Sequence, residues 1–215
     1  MCARYTLTLE QANLILASMV HVLWFAPRYN IAPTQRVPVI VDDAQGVRQL
    51  DMRWGFKAPW GNTLHINAQA ERIQKTATFK PLLNQRCLVP MDGFYEWKPD
   101  KTPVRFVRRK REVFYVAGLW RADERQELDV PVKDLSFVLL TTAAMPSVAP
   151  IHNRMPFIVR DGQLDWWLRG DLNETVLNHP DDTPLDWYPV NRDVNNVRNE
   201  SPALIRPAPI ERELF

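Results

Sequence analysis

Short apolar runs separated by turn residues dominate the chain after Pro27. Residues 36–41 and 47–54 flank an Asp-Asp-Ala-Gln-Gly turn, and this pattern predicts a β-hairpin. Further runs have the length and the β-branched or aromatic content of strands. They cover residues 64–67, 87–91, 104–108, 113–119, 135–141, 156–159 and 185–190.

Helical patterns are fewer. Residues 8–11, Thr-Leu-Glu-Gln, have capping-box spacing, and the apolar residues that follow recur on one helical face, which predicts a helix over residues 9–20. Shorter helices are predicted at 70–75, 164–168 and 172–177. Because strands outnumber helices and short turns connect most of them, the pattern favours an antiparallel α+β arrangement.

Length and composition fit one ordinary globular domain. The chain has 215 residues, of which 46% are hydrophobic and 24% are charged. Lys and Arg number 27 against 25 Asp and Glu, so net charge gives no argument for nucleic-acid binding. Residues 98–111 nevertheless form a local basic cluster, with Asp100 as its one carboxylate before Glu112. This cluster is either a solvated hairpin tip or a phosphate-facing patch.

Two cysteines, Cys2 and Cys87, are too few for a disulfide framework, and we expect Cys87, in an apolar run, to be buried and inert. This cysteine usage predicts a cytoplasmic protein. The apolar stretch 14–26 is interrupted by Ser18 and His21, so we expect neither export nor a membrane span. The histidines share no metal-ligand spacing, and we expect no metal and no cofactor.

Cys2 is the residue with the most distinctive chemistry, because removal of Met1 would leave it as the free N-terminus. Its α-amine, with a pKa of about 7.7–8.0, and its thiol, with a pKa of about 8.5, would then lie on adjacent carbons. Such a 1,2-aminothiol captures an aldehyde as a five-membered thiazolidine. The alternative is that a small residue after Met1 indicates methionine removal alone.

Glu96 and His152 are candidates for proton transfer. Glu96 lies between Tyr95 and Trp97, where desolvation would raise the pKa of its carboxyl towards a range useful for acid–base catalysis. The alternative is that the alternation of side chains along a strand places both rings in the core and Glu96 in water. His152 precedes a predicted strand, and it is either a proton carrier or a hydrogen-bonded loop histidine. Asn67 ends a short apolar strand.

The order of several short motifs along the chain resembles the SRAP family of SOS-response-associated peptidases, or abasic-site processing proteins. The resemblance rests on residues 1–5 (MCARY), 28–33 (RYNIAP), 66–68 (INA), 79–82 (FKPL), 93–97 (GFYEW), 142–144 (TAA), 151–156 (IHNRMP) and 196–199 (NVRN). It implies a single domain over residues 2–215 of the α+β class, built on a mainly antiparallel, barrel-like β-sheet with peripheral helices.

The resemblance also implies a reaction. Members of this family bind single-stranded DNA, including junctions with duplex DNA, and join their N-terminal cysteine to the ring-opened aldehyde of an abasic site. Carried over to this chain, Cys2 is the nucleophile, Asn67 orients the N-terminus and the sugar, Glu96 holds or deprotonates the α-amine, and His152 shuttles protons. Strand scission by β-elimination and removal of Met1 by the protein itself are further implied activities. We expect a monomer, associated with the nucleoid when bound to DNA, without membrane contact.

The implied DNA-binding residues are arginines for phosphates, aromatic rings that stack on or wedge between bases, and polar strand ends. They are Arg4, Asn30, Trp60, Arg72, Trp97, Thr142, Arg154 and Arg198. Three positions depart from the family. Ala3 replaces a glycine, which bears on how closely the backbone beside Cys2 approaches a sugar, while Gln69 replaces an arginine and a second basic residue is replaced near Ala77. The two lost phosphate contacts predict weaker DNA binding.

Two other functions fit parts of the sequence. One is a non-covalent module for single-stranded nucleic acid, built from basic and aromatic surface residues. The other is an N-terminal-nucleophile amidohydrolase, in which a cysteine thiol attacks an amide and its own amine is the base. The sequence contains neither the glycine-rich loops nor the Asn-Gly-Asp motif of the glutamine amidotransferases.

Overall fold

A computed structural model describes residues 2–16, 19–58, 61–127, 130–170, 177 and 179–208, with side chains described outside 14–20 and 124–133. Its strands are β1 (Tyr5–Leu7), β2 (Gln11–Leu16), β3 (Met19–Trp24), β4 (Arg28–Ile31), β5 (Arg36–Asp43), β6 (Gly46–Trp54), β7 (Phe56–Lys57), β8 (Leu64–His65), β9 (Asn67–Gln69), β10 (Arg86–Met91), β11 (Gly93–Trp97), β12 (Pro103–Arg108), β13 (Phe114–Glu127), β14 (Val130–Ala143), β15 (Arg154–Pro156) and β16 (Leu185–Pro189). Helix α1 spans Leu164–Arg169, and short 3-10 helices occur at Ala70–Arg72, Lys80–Leu82, Asp161–Gln163, Arg192–Asn195 and Pro202–Ile205.

Two sheets organise these strands. The first is antiparallel with the order β16-β12-β11-β1-β4, and the second has the order β13-β10-β5-β6-β14-β15. Pairing of β13 with β14 closes five strands of the second sheet into a ring, and β14 also runs parallel to β6 and β9. The expectation of a sheet-rich, mainly antiparallel domain with few helices is therefore confirmed, although the second sheet is mixed.

Most predicted strands coincide with observed ones, including the hairpin of β5 and β6. The predicted strand at 156–159 is displaced, because β15 ends at Pro156 and Ile158 forms only an isolated bridge with Val116. Helix α1 agrees with the prediction at 164–168, whereas 70–75 contains only one 3-10 turn. The helix predicted at 172–177 lies outside the described residues except for Leu177.

The helix predicted over 9–20 is wrong, because this segment forms the antiparallel hairpin β2–β3. Its apolar run is nearly continuous, and such a run satisfies helical and strand periodicity equally well. The expected capping residue is also engaged elsewhere: the backbone N–H and the hydroxyl of Thr8 both donate to the Asp92 carboxylate. Thr8 therefore holds the end of β1 against the β10–β11 turn instead of starting a helix.

The first sheet separates two packed layers. Phe94 of β11 and Phe106 of β12 stack with their ring centroids 4.9 Å apart on the face that joins the main core. Tyr95 points to the opposite face, where it packs with Val194 and Leu204 of the C-terminal segment. No helix in the described ranges is long and apolar enough to span a bilayer.

Asp92 fixes the turn from β10 into β11. It is 3% exposed, and its carboxylate accepts hydrogen bonds from the Thr6 hydroxyl at 2.6 Å and from Arg105 Nη2 at 2.9 Å, besides those from Thr8. Arg105 is itself buried, so each charge compensates the other away from water. This pair therefore sets the position of β11 relative to β1 and β12.

Replacement of Asp92 by Asn should lower the free energy of unfolding by about 3 kcal/mol, because it leaves the buried Arg105 guanidinium without its counter-charge. Urea unfolding at neutral pH measures the change. Asp100→Asn is the control, since Asp100 lies in an exposed turn, and it should leave the stability nearly unchanged. Equal stability of the two variants would contradict this account of the turn.

Candidate functional site

Cys2 is held at the start of the first sheet. It is fully buried, and the Asn67 side-chain amide donates to its carbonyl oxygen at 2.8 Å. Its thiol lies 3.6 Å from the Arg4 carbonyl oxygen. The following strand, β1, is paired on both sides, with β11 and with β4. The Cys2 backbone is therefore fixed by long-range contacts.

The surroundings of Cys2 keep its thiol protonated. Burial raises the pKa of the thiol far above its usual value, and the nearby Glu96 carboxylate raises it further. A thiol of this kind does not act as a ready thiolate. It needs a base that accepts its proton as the sulfur attacks, and Glu96 is the carboxylate close enough to influence it.

Glu96 is buried, with 3% of its surface exposed, so the alternative that places it in water is wrong. Strand alternation does not expose it because residues 93–96 are covered on both faces of the sheet. Burial raises the pKa of its carboxyl above the usual 4.5, while electrostatic interactions with the amino terminus and with His152 oppose this rise. The sequence-based expectation of a desolvated carboxyl is therefore confirmed.

His152 belongs to the loop between β14 and β15. The Arg154 backbone N–H donates to His152 Nδ1 at 2.9 Å, and the His152 backbone N–H donates to the Val148 carbonyl at 3.1 Å. Nδ1 also lies 3.0 Å from the Arg154 carbonyl oxygen, so the same ring nitrogen accepts from or donates to Arg154 according to the tautomer of the ring. His152 is thus a hydrogen-bonded loop histidine that also interacts electrostatically with Glu96.

Asn67 reaches Cys2 from the second sheet. Strand β9 runs parallel to β14, with Asn67 opposite Leu139, and the Ile66 carbonyl accepts from Trp54 Nε1 at 2.8 Å. The side-chain nitrogen of Asn67 is used by Cys2, whereas its Oδ1 atom is buried and has no hydrogen-bond partner among the described residues. Asn67 therefore offers a free acceptor beside the Cys2 backbone.

Arg4 and Asn30 hold the C-terminal segment next to this site. Arg4 Nη1 donates to Asn30 Oδ1 at 2.8 Å and to the Val194 carbonyl at 2.7 Å. Asn30 is fully buried, and its amide donates to carbonyl oxygens within the 196–199 segment. That segment carries the exposed Arg198. Asn30 therefore contributes to this surface indirectly, because it holds the Arg4 side chain and the backbone of the 196–199 segment.

Trp97 lies over the same segment. The Arg4 guanidinium carbon is 5.9 Å from the centroid of the Trp97 ring, and Trp97 Nε1 donates to Asn195 Oδ1 at 2.8 Å. Trp97 is half-buried, so part of the indole remains open to a ligand. The sequence analysis did not identify Asn195, because it lies 98 residues from Trp97 along the chain and the two residues meet only in the folded structure.

Arg154 is anchored on β15, two residues after His152. Its guanidinium donates to the Thr141 carbonyl at 2.7 Å and forms an ion pair with Glu71. Sequence reasoning gave Glu71 no role, since nothing in the local pattern indicates a partner 83 residues away. Arg72 is exposed beside Glu71, and Thr142 is half-buried on β14. Trp60 lies outside the described residues.

The basic cluster over residues 98–111 is divided between interior and surface. Arg105 pairs with Asp92, and Arg108 donates to Asp181 at 2.8 Å and to Asp161 at 3.1 Å; both guanidinium groups are buried. These two arginines stabilise the core side of β12 and cannot form part of a continuous phosphate-facing patch.

Within the described part of the chain, no group of three or more His, Cys, Asp or Glu residues could hold a metal ion.

Comparison with known proteins agrees with this arrangement. The family model described as SOS response associated peptidase (SRAP) matches residues 1–197. Abasic site processing protein YoqW of Bacillus subtilis is 32% identical, over 95% of this chain and 99% of the relative. Abasic site processing protein YedK of Escherichia coli is 27% identical, over 84% of each chain. A crystal structure of a phage-related protein from Bordetella bronchiseptica is similar with a TM-score of 0.72 and 26% identity, over 89% of this chain and 95% of that one. The chain therefore belongs to the SRAP family.

Proposed function

We propose that this protein processes abasic sites in single-stranded DNA by joining Cys2 to the ring-opened sugar as a thiazolidine. The observation that carries the proposal is the convergence of Asn67, Glu96 and His152 on Cys2, from strands and loops far apart in sequence. Curated relatives named abasic site processing proteins support the choice of substrate.

The chemistry begins once Met1 has been removed and the Cys2 amine is free. The amine adds to the aldehyde carbon of the open sugar, and loss of one water gives an imine. The Cys2 sulfur then adds to the same carbon, the π electrons of the imine move to nitrogen, and the thiol proton is passed to that nitrogen. One C–N bond and one C–S bond form, and water is the only leaving group.

Proton transfer in these steps is assigned to Glu96 and His152. Imine formation requires a neutral amine and an acid that protonates the departing oxygen, while sulfur attack requires a base for the thiol proton. The Glu96 carboxyl is buried with a raised pKa and has an imidazole beside it, and we assign the proton transfers to this pair. We assign to the free Oδ1 of Asn67 a hydrogen bond from the Cys2 amine or from a sugar hydroxyl.

The strand itself is bound by the residues around this centre. We assign phosphate contacts to Arg4, Arg154 and Arg198 and base stacking to Trp97, because the indole is partly open and lies against the Arg4 guanidinium.

Strand scission is a competing reaction of the same intermediate. The imine makes the C–H of the adjacent sugar carbon more acidic, so β-elimination of the phosphate competes with attack by the sulfur. Binding at single-strand/duplex junctions, activity as a monomer and self-removal of Met1 remain predictions of the same proposal.

Cys2→Ala should abolish a covalent adduct that survives heat and detergent, because it removes the sulfur that closes the ring. The measurement is a denaturing gel after incubation with single-stranded DNA carrying one abasic site. Cys87→Ala is the matched control, since Cys87 is equally buried but lies on β10, and it should crosslink like the wild type. Reduction of the aldehyde with borohydride should also abolish the band. An adduct that persists in Cys2→Ala would indicate a lysine Schiff base, and no adduct with the wild type would favour a non-covalent binding module.

Glu96→Gln and His152→Ala should each slow crosslinking by about 10²-fold, the usual contribution of one acid–base group, while binding of undamaged single strands stays nearly unchanged. Single-turnover rates and fluorescence anisotropy measure the two quantities separately. An equal loss of binding and rate in both variants would show that these residues support the fold or the DNA surface and not proton transfer.

The raised pKa of Glu96 also predicts a pH-dependent stability. Below its usual value of 4.5, the carboxyl is protonated in both the folded and unfolded states; as pH rises through the folded-state value, the folded state loses relative stability. Glu96→Gln should therefore gain stability relative to the wild type as pH rises above about 4.5. Urea unfolding from acid to neutral pH measures this difference.

Glu71→Gln is the control of opposite sign. Burial raises the pKa of Glu71, but its bonds to Arg154 outweigh burial and lower it overall. Glu71 therefore stabilises the fold above its usual pKa, and Glu71→Gln should lose stability relative to the wild type as pH rises from the acid range. Parallel curves for the two variants would contradict the assigned directions.

A further inference from the structure

We propose that a cavity at the end of β1 remote from Cys2 binds a nucleotide, whose phosphate contacts Arg111 and Arg206. The ligand chemistry is that of a nucleoside 5′-phosphate, which occurs both as a free nucleotide and as the unit of a DNA strand. The inference goes beyond the proposed function, because the cavity shares no residue with the reaction centre around Cys2 or with the residues assigned to the strand.

The cavity lies between the outer face of the first sheet and the C-terminal segment. Its volume is about 480 Å³, which falls within the range of small-molecule sites. Arg105 of β12, Tyr188 of β16 and Thr8 at the end of β1 line one side, and the turn over residues 202–207 lines the other. A ligand here would therefore contact two parts of the chain that are far apart in sequence.

Tyr188 fixes the side chain of Arg111 at this cavity. Arg111 Nη1 donates to the Tyr188 hydroxyl at 2.9 Å, and the guanidinium carbon lies 4.8 Å from the centroid of the Tyr188 ring. Arg105 Nη1 donates to the same hydroxyl, also at 2.9 Å. Arg111 is thus exposed but already oriented, so it loses little side-chain entropy when it binds an anion.

The cavity carries more positive than negative charge. Asp92 is the one carboxylate among the described residues that line it, and this carboxylate is buried and paired with Arg105. Neither Arg111 nor Arg206 has an ion pair with another residue in the described part of the chain. Two guanidinium groups therefore remain for a ligand, and a phosphate has the complementary charge and acceptor oxygens.

The two arginines lie close to each other through Tyr188. The Tyr188 hydroxyl, which accepts from Arg111, donates to the Ile205 carbonyl at 2.9 Å, and Ile205 directly precedes Arg206. The Arg206 backbone is itself fixed, since its N–H donates to the Ala203 carbonyl at 3.2 Å. A phosphate bound at this cavity can therefore accept hydrogen bonds from both guanidinium groups.

The remaining walls of the cavity favour an organic phosphate over inorganic phosphate. They are apolar and consist of Leu9, Pro202, Ile205 and Pro207. Leu9 is 38% exposed, so part of this wall is open to water. A base or a deoxyribose would cover the apolar surface while the attached phosphate reaches the arginines.

Isothermal titration calorimetry with deoxyadenosine 5′-monophosphate, deoxyadenosine and inorganic phosphate tests the site. The wild type should bind the nucleotide about tenfold more tightly than either other compound, because only the nucleotide contacts both the arginines and the apolar walls. Arg111→Gln and Arg206→Gln should each weaken nucleotide binding about tenfold, the effect of losing one charge-assisted hydrogen bond.

Lys110→Gln is the matched control. Lys110 is exposed in the same turn as Arg111 and does not line the cavity, so its replacement removes the same charge and should leave nucleotide binding unchanged. Arg111 and Arg206 are exposed as well, and urea unfolding should show that the three variants are as stable as the wild type.

Competition with an undamaged single-stranded oligonucleotide identifies the source of the ligand. If the cavity holds a unit of the DNA strand, the oligonucleotide displaces the nucleotide from the wild type, and Arg111→Gln weakens binding of the oligonucleotide. If the cavity holds a free nucleotide, both ligands bind at once. Either result supports the site.

Three results would overturn the site. They are the absence of nucleotide binding to the wild type, equal nucleotide affinity in Arg111→Gln and Lys110→Gln, and a nucleotide affinity no higher than that of deoxyadenosine or inorganic phosphate. None of these results depends on a covalent adduct at Cys2, so they leave the proposed function unaffected.

Discussion

The double pairing of β1 is the constraint on which the candidate site depends. The Tyr95 backbone N–H donates to the Arg4 carbonyl at 3.0 Å, and the Asp92 backbone N–H donates to the Thr6 carbonyl at 3.0 Å, so β1 is registered against β11 from one end to the other. This register places Arg4 beside Trp97 and brings Cys2 within the electrostatic reach of Glu96. The hydrogen bond from Asn67 to the Cys2 carbonyl then ties this end of the first sheet to the second sheet.

Burial around Cys2 has the same consequence for its thiol and for the Glu96 carboxyl. A low-polarity environment disfavours both the thiolate of Cys2 and the carboxylate of Glu96, so each holds its proton at higher pH than it would in water. The imidazole of His152 favours the carboxylate and partly offsets this effect. In the proposed reaction, such a site holds the Cys2 thiol protonated in the absence of an aldehyde, and protons are exchanged when the sugar aldehyde meets the Cys2 amine in this enclosed space.

The sequence indicated the strands more reliably than the helices. Short β-type runs with clear turns, such as the two strands around residues 42–46, were predicted because their signal is local. The error at 9–20 arose because Thr8 donates to Asp92, a partner 84 residues away, and not to its own following turn. Glu96 and His152 were identified by their neighbours and by family motifs. The partners of Arg4 and Arg154 were not predictable, because the contacts with Val194 and Glu71 span 190 and 83 residues.

Intact mass spectrometry of the purified protein, before and after incubation with single-stranded DNA carrying one abasic site, tests the central claim most directly. The account predicts that the purified protein lacks Met1. After incubation, mass detection under denaturing conditions should show a species whose mass equals that of protein plus DNA less one water. A protein that retains Met1 or carries a blocked amino terminus and yet forms the adduct would contradict the account, because a thiazolidine requires a free Cys2 amine.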